Sequence, residues 1–422
     1  MERAHSDGKR EFNPETLALG FGHDPALAAG AVKPPVFLTS TFEFASASEG
    51  ARFFELAYGL GEAKQGEQLG LIYSRLDNPN LKMFEQRMAA WDRTETGAAF
   101  ASGMAAIATT ALALLRPGDV VLSTAPVYGG THYLFEHILR GLSIEVRFVG
   151  AGDGAPAAME QALAEVGPQR VRMLFVETPA NPSLVHTDVA AIAALGRRLR
   201  DSGSETWTVV DNTLLGPVFQ RPAPIGADVV IYSATKFIGG HSDLIAGVAT
   251  GGKAVMRRIR DLRSILGTMT TPFNGWLLQR SLETVSVRMR RQAKSARQLA
   301  QRLRDHPKVR RTLYPGALTP GTPQHDLWQR QCTGAGSLIS FEVEGGREAA
   351  YAALDRFEVF RLAVSLGGTE SLVEHPMSMT HADVPPEDNE ARGVTPGLIR
   401  MSVGLEHLSD LRRDLDWALA EL

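Results

Sequence analysis

The run Val171-Arg-Met-Leu-Phe-Val176 is followed, after a helix-like segment, by Trp207-Thr-Val-Val210 and then by Val229-Val-Ile-Tyr232. Each run is short and almost wholly apolar, as in strands that are buried on both faces of a parallel sheet. The segment between the first two runs carries apolar residues at helical spacing, namely Val189, Ile192, Leu195 and Leu199. Apolar strands that alternate with amphipathic helices predict an α/β fold with a mostly parallel sheet.

The same alternation extends towards the N-terminus, where residues 120–122 and 144–149 are predicted strands. Residues 96–115 lack charge over a length that could span a membrane. Ala, Thr, Gly and Ser dominate this segment, however, and Ser102-Gly103 divides it. We therefore predict a buried strand followed by a buried helix, and no membrane association.

After Thr271-Pro272 the alternation stops, and an apolar stripe between Leu278 and Leu303 predicts one long helix. Residues 337–343 are a predicted strand, and a closing helix is predicted after Ser409. These features predict a smaller C-terminal α+β domain. The predicted organisation is an N-terminal arm over residues 1–70, a large α/β domain over 71–275 and a C-terminal domain over 276–422.

Composition limits the class of protein. The chain has 422 residues, 44 Lys and Arg against 47 Asp and Glu, and one cysteine, Cys332. A near-neutral chain does not favour nucleic acid, although the predicted long helix is rich in Arg. The single cysteine and the charged, non-apolar start predict a reducing, cytoplasmic location. No set of residues predicts a metal site.

Polar residues stand at the ends of two predicted strands. Asp211 follows one apolar run, and Ser233, Thr235 and Lys236 follow the next. Open α/β sheets bind ligands at the carboxyl ends of their strands. Hydroxyls can hold a phosphate, a desolvated Lys can form an imine with an aldehyde, and a buried Asp can keep a pyridine nitrogen protonated. Each residue alone is usually structural, but together they predict a pyridoxal phosphate site.

A second phosphate-binding element is predicted at Ala99-Phe-Ala-Ser-Gly-Met-Ala105, which has the pattern of a strand, a tight turn and a helix. The free N–H groups of a helix N-terminus attract anions, and Gly103 lets a phosphate approach the backbone. By itself this pattern is weak, because many such turns contain glycine.

The chain resembles the pyridoxal-phosphate-dependent enzymes of cysteine and methionine metabolism from about Pro34 to its end. The family includes cystathionine γ-synthase, cystathionine lyases, methionine γ-lyase and O-acylhomoserine sulfhydrylases. The resemblance rests on nine motifs in order: Tyr73-Ser-Arg75 with Asn78-Pro79, Ala101-Ser-Gly-Met104, Val127-Tyr-Gly-Gly-Thr131, Glu177-Thr-Pro-Ala-Asn-Pro182, Asp211-Asn-Thr213, Ser233-Ala-Thr-Lys236, Ser365-Leu-Gly-Gly368, His375-Pro376 with Met379-Thr-His381, and Ile399-Arg-Met-Ser-Val-Gly404.

The resemblance implies the type I fold of pyridoxal-phosphate-dependent transferases and a role for each matching residue. Lys236 is expected to bind the cofactor covalently and then to move protons, and Asp211 to pair with the ring nitrogen. Tyr128 is expected to stack on the ring and to act as an acid or base near the leaving group. The implied phosphate ligands from the same subunit are Gly103, Met104, Ser233 and Thr235.

For the substrate, the resemblance implies that Arg400 binds the α-carboxylate with help from Asn181 and Ser365. Tyr73 and Arg75 are expected to reach the phosphate of a neighbouring subunit. The arm therefore belongs functionally to that neighbour, a homodimer is the smallest active unit, and a tetramer of two dimers is the expected assembly. Glu177 is expected to orient other groups.

The family catalyses γ-elimination or γ-replacement on an amino acid, and its shared catalytic residues do not distinguish the two. Val364 stands where cystathionine-processing relatives usually carry Glu, which favours an uncharged γ substituent and a methionine γ-lyase-like reaction. Gly130 stands where methionine γ-lyases have Cys. Residues 50–71 are longer than expected, and we predict them near the site mouth, where they reshape either the pocket or the dimer contact.

Several alternatives stay open at this point. They are γ-replacement of the cystathionine γ-synthase or O-acylhomoserine sulfhydrylase type, cystathionine γ-lyase activity, and γ-elimination on an oxygen-linked substrate such as canavanine. A catalytically silent scaffold protein is disfavoured, because Lys236, Asp211, Tyr128 and Arg400 are all present.

Overall fold

The computed structural model describes residues 12–57, 60–62, 64, 67, 70–382, 384–420 and 422. In the first part of the chain the elements are α1 (Pro14–Gly20), α2 (Ala47–Ala57), α3 (Pro79–Asp92), β1 (Thr96–Phe100), α4 (Gly103–Leu114), β2 (Val120–Ala125), α5 (Gly129–Tyr133), β3 (Glu145–Gly150), α6 (Ala155–Val166), β4 (Val171–Glu177), α7 (Val189–Asp201), β5 (Trp207–Asp211), α8 (Gly216–Phe219), α9 (Pro222–Ile225), β6 (Val229–Ser233), β7 (Gly247–Gly251) and α10 (Lys253–Leu266).

The second part of the chain begins with two successive helices and continues into a smaller sheet. Its elements are α11 (Pro272–Leu282), α12 (Val285–Arg304), β8 (Val309–Leu313), α13 (Pro323–Gln331), β9 (Leu338–Val343), α14 (Gly346–Arg356), β10 (Arg361–Leu362), β11 (Leu372–Glu374), α15 (Pro386–Ala391), β12 (Leu398–Ser402) and α16 (Leu408–Leu419). The predicted strand over 337–343 and the predicted closing helix are both present.

The large sheet has seven strands in the order β1-β7-β6-β5-β4-β2-β3. Strands β3, β2, β4, β5 and β6 are parallel, and β7 pairs antiparallel with both β6 and β1. Apolar residues of α4 and α10 pack on one face, and those of α3, α7 and α11 pack on the other. The prediction of a mostly parallel sheet covered on both faces is therefore confirmed; β7 was not predicted.

The uncharged segment 96–115 forms β1 and α4, and Ser102 caps the helix by accepting a hydrogen bond from the Ala105 N–H at 3.0 Å. Phe100 and Ile107 lie in the core between the sheet and α10. No helix in the described part of the chain is long and apolar enough to cross a membrane.

The smaller sheet has five strands in the order β10-β11-β12-β9-β8 and is mainly antiparallel. Leu299 of α12, Leu354 of α14 and Leu415 of α16 pack with its buried side chains. The strands of each sheet fall within one of the two predicted domains, and the domain boundaries themselves stay a prediction.

The prediction of one long helix after Thr271 is wrong, because the structure has two helices, α11 and α12, with a break at residues 283–284. In a continuous helix the Ser281 carbonyl would accept from the Val285 N–H. Here it accepts from the Thr284 N–H at 3.2 Å and from the Arg288 guanidinium at 2.9 Å. These competing donors account for the break.

The predicted arm is only partly extended, since α1 and α2 lie within it. Phe53 packs against Phe44, with 6.1 Å between the ring centroids. Tyr58 and Gly59, which belong to the segment predicted near the site mouth, lie outside the described residues.

The Cys332 side chain is part of the core packing, and burial raises the pKa of its thiol to about 12.

Candidate active site

A cavity of about 470 Å³ lies at the carboxyl ends of β4, β5 and β6 and is also lined by Arg400 of β12 and by residues 364–366 and 379–380. Strand ends of this kind are where open α/β sheets bind ligands. All predicted site residues except Tyr73 and Arg75 line it, namely Lys236, Tyr128, Asp211, Gly103, Met104, Ser233, Thr235, Arg400, Asn181, Ser365 and Val364.

The start of α4 is the part of the cavity lining best suited to a phosphate. A Cβ built on Gly103 would lie 2.9 Å from the Ser233 Cβ, so only glycine lets the helix start and the end of β6 come this close. The first N–H groups of a helix have no partner within the helix and attract anions. Thr235 also lines the cavity. Its hydroxyl donates to the Ala246 carbonyl and accepts from the Ala246 N–H, and these two bonds fix the backbone after β6.

Asp211 is buried at the end of β5, where its Oδ1 accepts from the Thr213 N–H at 3.0 Å and from the Thr213 hydroxyl at 2.6 Å. The Thr213 hydroxyl in turn accepts from the Ser233 N–H at 2.8 Å. Thr213 therefore fixes the carboxylate relative to the next strand. Sequence analysis assigned no role to Thr213, although it stands two residues after the strand-end Asp.

Glu177 lies beside Asp211 in the sheet register and is also buried. Burial, followed by the charge of Asp211, raises the pKa of Glu177 above its ordinary value. Its two carboxyl oxygens accept from the Tyr128 N–H at 2.7 Å and from the Asn181 N–H at 3.2 Å. The geometry is that expected of an orienting residue.

The Lys236 amine is largely desolvated and donates to the Ser365 hydroxyl at 2.8 Å. Burial and the charge of Arg400 lower the pKa of Lys236 to about 8, and Glu374 opposes this change. A larger fraction of neutral amine is available near neutral pH than for an ordinary lysine, and the neutral amine is the form that attacks an aldehyde.

Arg400 is held by three acceptors. Its Nη1 donates to Asn181 Oδ1 at 3.1 Å and lies 2.9 Å from Glu374 Oε1, and its Nη2 donates to the Ser365 carbonyl at 2.9 Å. Its Nε is buried and makes no hydrogen bond to the described residues. Nε is therefore an unused donor beside Nη2, and we expect this edge of the guanidinium to bind a carboxylate.

Ser365 has a φ of +134°, a backbone conformation that a residue with a side chain rarely adopts. In this conformation its hydroxyl contacts Lys236 and its carbonyl contacts Arg400. Strained residues of this kind concentrate at functional sites.

Tyr128 is 46% exposed at the cavity wall. A Cβ built on Gly130 would lie 2.8 Å from the Tyr128 ring and 3.0 Å from the Met104 sulfur. The ring thus occupies space that a side chain at residue 130 would need. With Cys at this position, as in methionine γ-lyases, the Tyr128 ring would have to lie elsewhere.

Tyr73 and Arg75 lie outside the cavity. Tyr73 is half-exposed, and the Arg75 guanidinium, 5.8 Å from the centre of the Tyr73 ring, donates to the Ser264 carbonyl. The described residues between 50 and 71 also do not line the cavity. The predicted contact of Tyr73 and Arg75 with a neighbouring subunit stays a prediction.

Glu374 was missed by the sequence analysis. It is fully buried, stands opposite Arg400 in the pairing of β11 with β12, and accepts from the Thr380 hydroxyl at 3.0 Å. A charged residue that ends the apolar run Leu372-Val373 is the same signal that identified Asp211.

Among the described residues no cluster of His, Cys, Asp and Glu is suited to a metal ion.

These residues fit pyridoxal phosphate. The Gly103 backbone and the Ser233 and Thr235 side chains can hold a phosphate, Lys236 can bind an aldehyde, and Asp211 can face a pyridine nitrogen. The fit is supported by the Gly103–Ser233 approach, in which a Cβ would collide, and by the lowered pKa of Lys236.

The environment of Lys236 predicts how the apoprotein takes up pyridoxal phosphate. We expect the rate of covalent attachment to rise with pH through a midpoint of about 8, because only neutral Lys236 attacks the aldehyde. In Glu374→Gln the midpoint moves to lower pH, since the carboxylate that stabilises the ammonium is gone. Stopped-flow absorbance of the cofactor, recorded over a range of pH, measures the midpoint in wild type and in Glu374→Gln. Asp355→Asn, an exposed control, keeps the wild-type midpoint; an unchanged midpoint in Glu374→Gln contradicts the assignment.

Comparison with known proteins gives a consistent result. The family model described as Cys/Met metabolism PLP-dependent enzyme matches residues 15–420. L-methionine gamma-lyase from Pseudomonas deceptionensis is 39% identical over 416 residues, covering 98% of this chain and 99% of the relative. Cystathionine beta-lyase from Coxiella burnetii is 37% identical, covering 98% of this chain and 100% of the relative. The crystal structure of cystathionine gamma synthase from Xanthomonas oryzae pv. oryzae in complex with cystathionine has a TM-score of 0.86 at 33% identity, covering 97% and 98%.

The family match covers both sheets and every residue that lines the cavity. It agrees with the geometry, which brings an amine, a buried carboxylate and a turn suited to a phosphate into one cavity. The protein is thus an enzyme with pyridoxal phosphate as its cofactor, and the chain belongs to the Cys/Met metabolism PLP-dependent enzyme family.

Proposed function

We propose that the protein is a γ-lyase for a methionine-type amino acid, which converts methionine and water into methanethiol, 2-oxobutyrate and ammonia. The observation that carries the proposal is the apolar cavity wall at Val364, which is 59% exposed and lies beside Ser365. Ile245 and Met379 extend this wall. An apolar wall suits an uncharged γ substituent such as methylthio.

The distribution of charge supports the same substrate class. Among the described residues that line the cavity, the acidic ones are Glu177 and Asp211, and both are buried at strand ends with hydrogen bonds of their own. No carboxylate in this lining is left to pair with the distal ammonium group of cystathionine. Such a pair would add a charge-assisted hydrogen bond to binding.

The chain's own residues divide the work as follows. Bound pyridoxal phosphate supplies an electron sink for the amino acid attached to it. Arg400 binds the α-carboxylate through its free Nε edge and thereby orients Cα towards Lys236. Lys236 removes protons from Cα and Cβ and returns a proton to Cγ, a task suited to its lowered pKa. Tyr128 donates a proton to the departing sulfur.

We also propose γ-replacement on an O-acylhomoserine, with cysteine or sulfide as the incoming group, as a second candidate. Gly130 supports it, because this position lacks the Cys expected of methionine γ-lyases. The Xanthomonas oryzae structure, a cystathionine gamma synthase bound to cystathionine, has the same fold. Cystathionine or canavanine cleavage are further outcomes of the test below.

The active assembly is proposed to be a homodimer, with a tetramer of two dimers as the full assembly. The exposure of Tyr73 and its neighbour Arg75 outside the cavity supports this, because both belong to a motif that the family uses towards a partner's phosphate. Sedimentation velocity measures the number of subunits in the assembly. The contact of Tyr73 with the partner subunit's phosphate is measured by the affinity of Tyr73→Ala dimers for pyridoxal phosphate, which we expect to fall.

A substrate panel tests the proposed reaction. The holoenzyme is given methionine, cystathionine, O-acetylhomoserine, O-succinylhomoserine and canavanine, each with and without cysteine, and 2-oxobutyrate, homoserine and thioethers are quantified. We expect 2-oxobutyrate from methionine without added thiol. If only acylated homoserine with cysteine reacts, the lyase proposal fails and the second candidate stands.

Val364→Glu tests the apolar wall. The new carboxylate is expected to raise the ratio of kcat/KM for cystathionine to that for methionine by about tenfold, the value of one charge-assisted hydrogen bond. Val364→Gln is the matched control, because it has the same shape without the charge. An unchanged ratio in Val364→Glu means that residue 364 does not select the substrate.

A further inference from the structure

Arg288 of α12 is buried at 5% exposure, and no carboxylate among the described residues pairs with its guanidinium. Its Nη1 donates to the Phe237 carbonyl at 2.8 Å, its Nη2 to the Ser281 carbonyl at 2.9 Å, and its Nε to the Thr284 hydroxyl at 3.2 Å. Burial alone lowers the pKa of Arg288 to about 10. Burying a charge without a counter-ion costs free energy, which indicates that the contacts of Arg288 have a specific role.

The contact with Phe237 places Arg288 behind the Lys236 loop, which we define as residues 234–240. Gly240 has a φ of +69°, and a Cβ there would lie 1.9 Å from Arg288 Nη1. The loop therefore leaves room for the guanidinium only because residue 240 is glycine. The Gly240 N–H also donates to the Lys236 carbonyl at 2.7 Å, which connects the arginine contact to the lysine backbone.

Gln292 lies one helical turn after Arg288 on the same face of α12. It is fully buried, and its Nε2 donates to the Gly368 carbonyl at 2.6 Å. Gly368 ends the Ser365 loop, defined as residues 363–368. One face of a single helix thus holds the loop that carries Lys236 and the loop that carries Ser365.

The two loops also contact each other directly. Gly367 has a φ of +76°, and a Cβ there would lie 2.8 Å from the Phe237 nitrogen. On the cavity side of this contact the Lys236 amine donates to the Ser365 hydroxyl at 2.8 Å. A shift of either loop along α12 would change the distance between these two groups.

We propose that Arg288 and Gln292 are positioning residues, which hold the two loops at the separation where Lys236 contacts Ser365. The inference rests on the catalytic role proposed for Lys236 and applies to whichever substrate the enzyme uses. Neither Arg288 nor Gln292 lines the cavity, so both act through the loops.

The test combines Arg288→Lys and Gln292→Leu with Ser365→Ala, in the holoenzyme. Arg288→Lys keeps the positive charge but loses the planar guanidinium that binds several acceptors at once. Gln292→Leu keeps a side chain of similar volume but loses the hydrogen bond to the Gly368 carbonyl. We expect each to lower kcat/KM by about tenfold to 100-fold, as for a catalytic group displaced by about 1 Å. In the Ser365→Ala background Gln292→Leu is expected to cost less than about twofold, because the effects of coupled residues do not add.

Visible circular dichroism of the bound cofactor is the second readout and needs no substrate. We expect its amplitude to change in Arg288→Lys and Gln292→Leu and to stay at the wild-type value in Arg291→Gln, which lies on the exposed face of α12. A variant that lowers only the melting temperature, with wild-type dichroism and turnover, overturns the proposal. Additive losses with Ser365→Ala also overturn it. Absence of turnover on every substrate would refute the proposed function and leave the dichroism test intact.

Discussion

Lys236→Ala is expected to lower turnover by about four orders of magnitude or more, because in the proposed mechanism the side chain both attaches the cofactor and moves the protons. The side chain lines the cavity, and its amine donates a hydrogen bond to Ser365. Its removal takes a desolvated cation away, and buried Glu374 keeps its ion pair with Arg400 at 2.9 Å. We therefore expect the fold to persist.

The measurement is the initial rate with the best substrate of the panel, with far-ultraviolet circular dichroism as the check on folding. Lys253→Ala is the matched control, because Lys253 is exposed at the start of α10 and distant from the cavity lining. Lys236→Ala protein that is folded and turns over within tenfold of wild type would rule out the assigned role.

Arg400→Lys is expected to lower kcat/KM by about 100-fold, mostly through a higher KM. In the proposed mechanism Arg400 binds the substrate carboxylate at its Nε edge, and a lysine at this position cannot form two parallel hydrogen bonds. A hydrogen bond to a charged group contributes about 1.5–3 kcal/mol, and about 1.4 kcal/mol is tenfold in affinity. Lysine keeps a positive charge beside buried Glu374, which limits the loss of stability.

Steady-state kinetics separates the two parameters, and Arg413→Lys on the exposed face of α16 serves as the control. A substrate amide that lacks the carboxylate should react equally slowly with wild type and Arg400→Lys. If Arg400→Lys lowers kcat at an unchanged KM, Arg400 does not bind the substrate carboxylate.

The large sheet could be predicted because its parallel strands are short apolar runs between amphipathic helices. Strand β7 could not, since Gly247-Val-Ala-Thr-Gly251 has weak strand propensity and is fixed by pairing with β1 on one side and β6 on the other. The break between α11 and α12 also depends on a contact that is not local, because the apolar stripe continues across it while Arg288 takes the Ser281 carbonyl.

The candidate site was predictable where a polar residue ends an apolar strand or belongs to a family motif. The structure brings Asp211, Lys236 and Arg400 into one cavity, as expected. Glu374 ends the apolar run Leu372-Val373 and could have been found by the signal that identified Asp211, although its pairing with Arg400 depends on the strand register. Thr213 was not assigned, because its role comes from hydrogen bonds made after folding. Arg288 was read as part of a basic helix, and only its buried contacts distinguish it from the exposed arginines of α12.

The central claim is γ-elimination on a methionine-type substrate, and turnover of methionine in D₂O tests it most directly. Loss of the γ substituent must be followed by protonation of the former Cγ, which becomes the methyl group of 2-oxobutyrate and does not exchange with solvent afterwards. The account predicts 2-oxobutyrate with one deuterium in that methyl group, seen by NMR, with no added thiol. Absence of 2-oxobutyrate would contradict it. Product in which no molecule carries deuterium in that methyl group would also contradict it, because the Lys236 amine exchanges its hydrogens with D₂O between turnovers and delivers these as well as any hydrogen taken from Cα or Cβ.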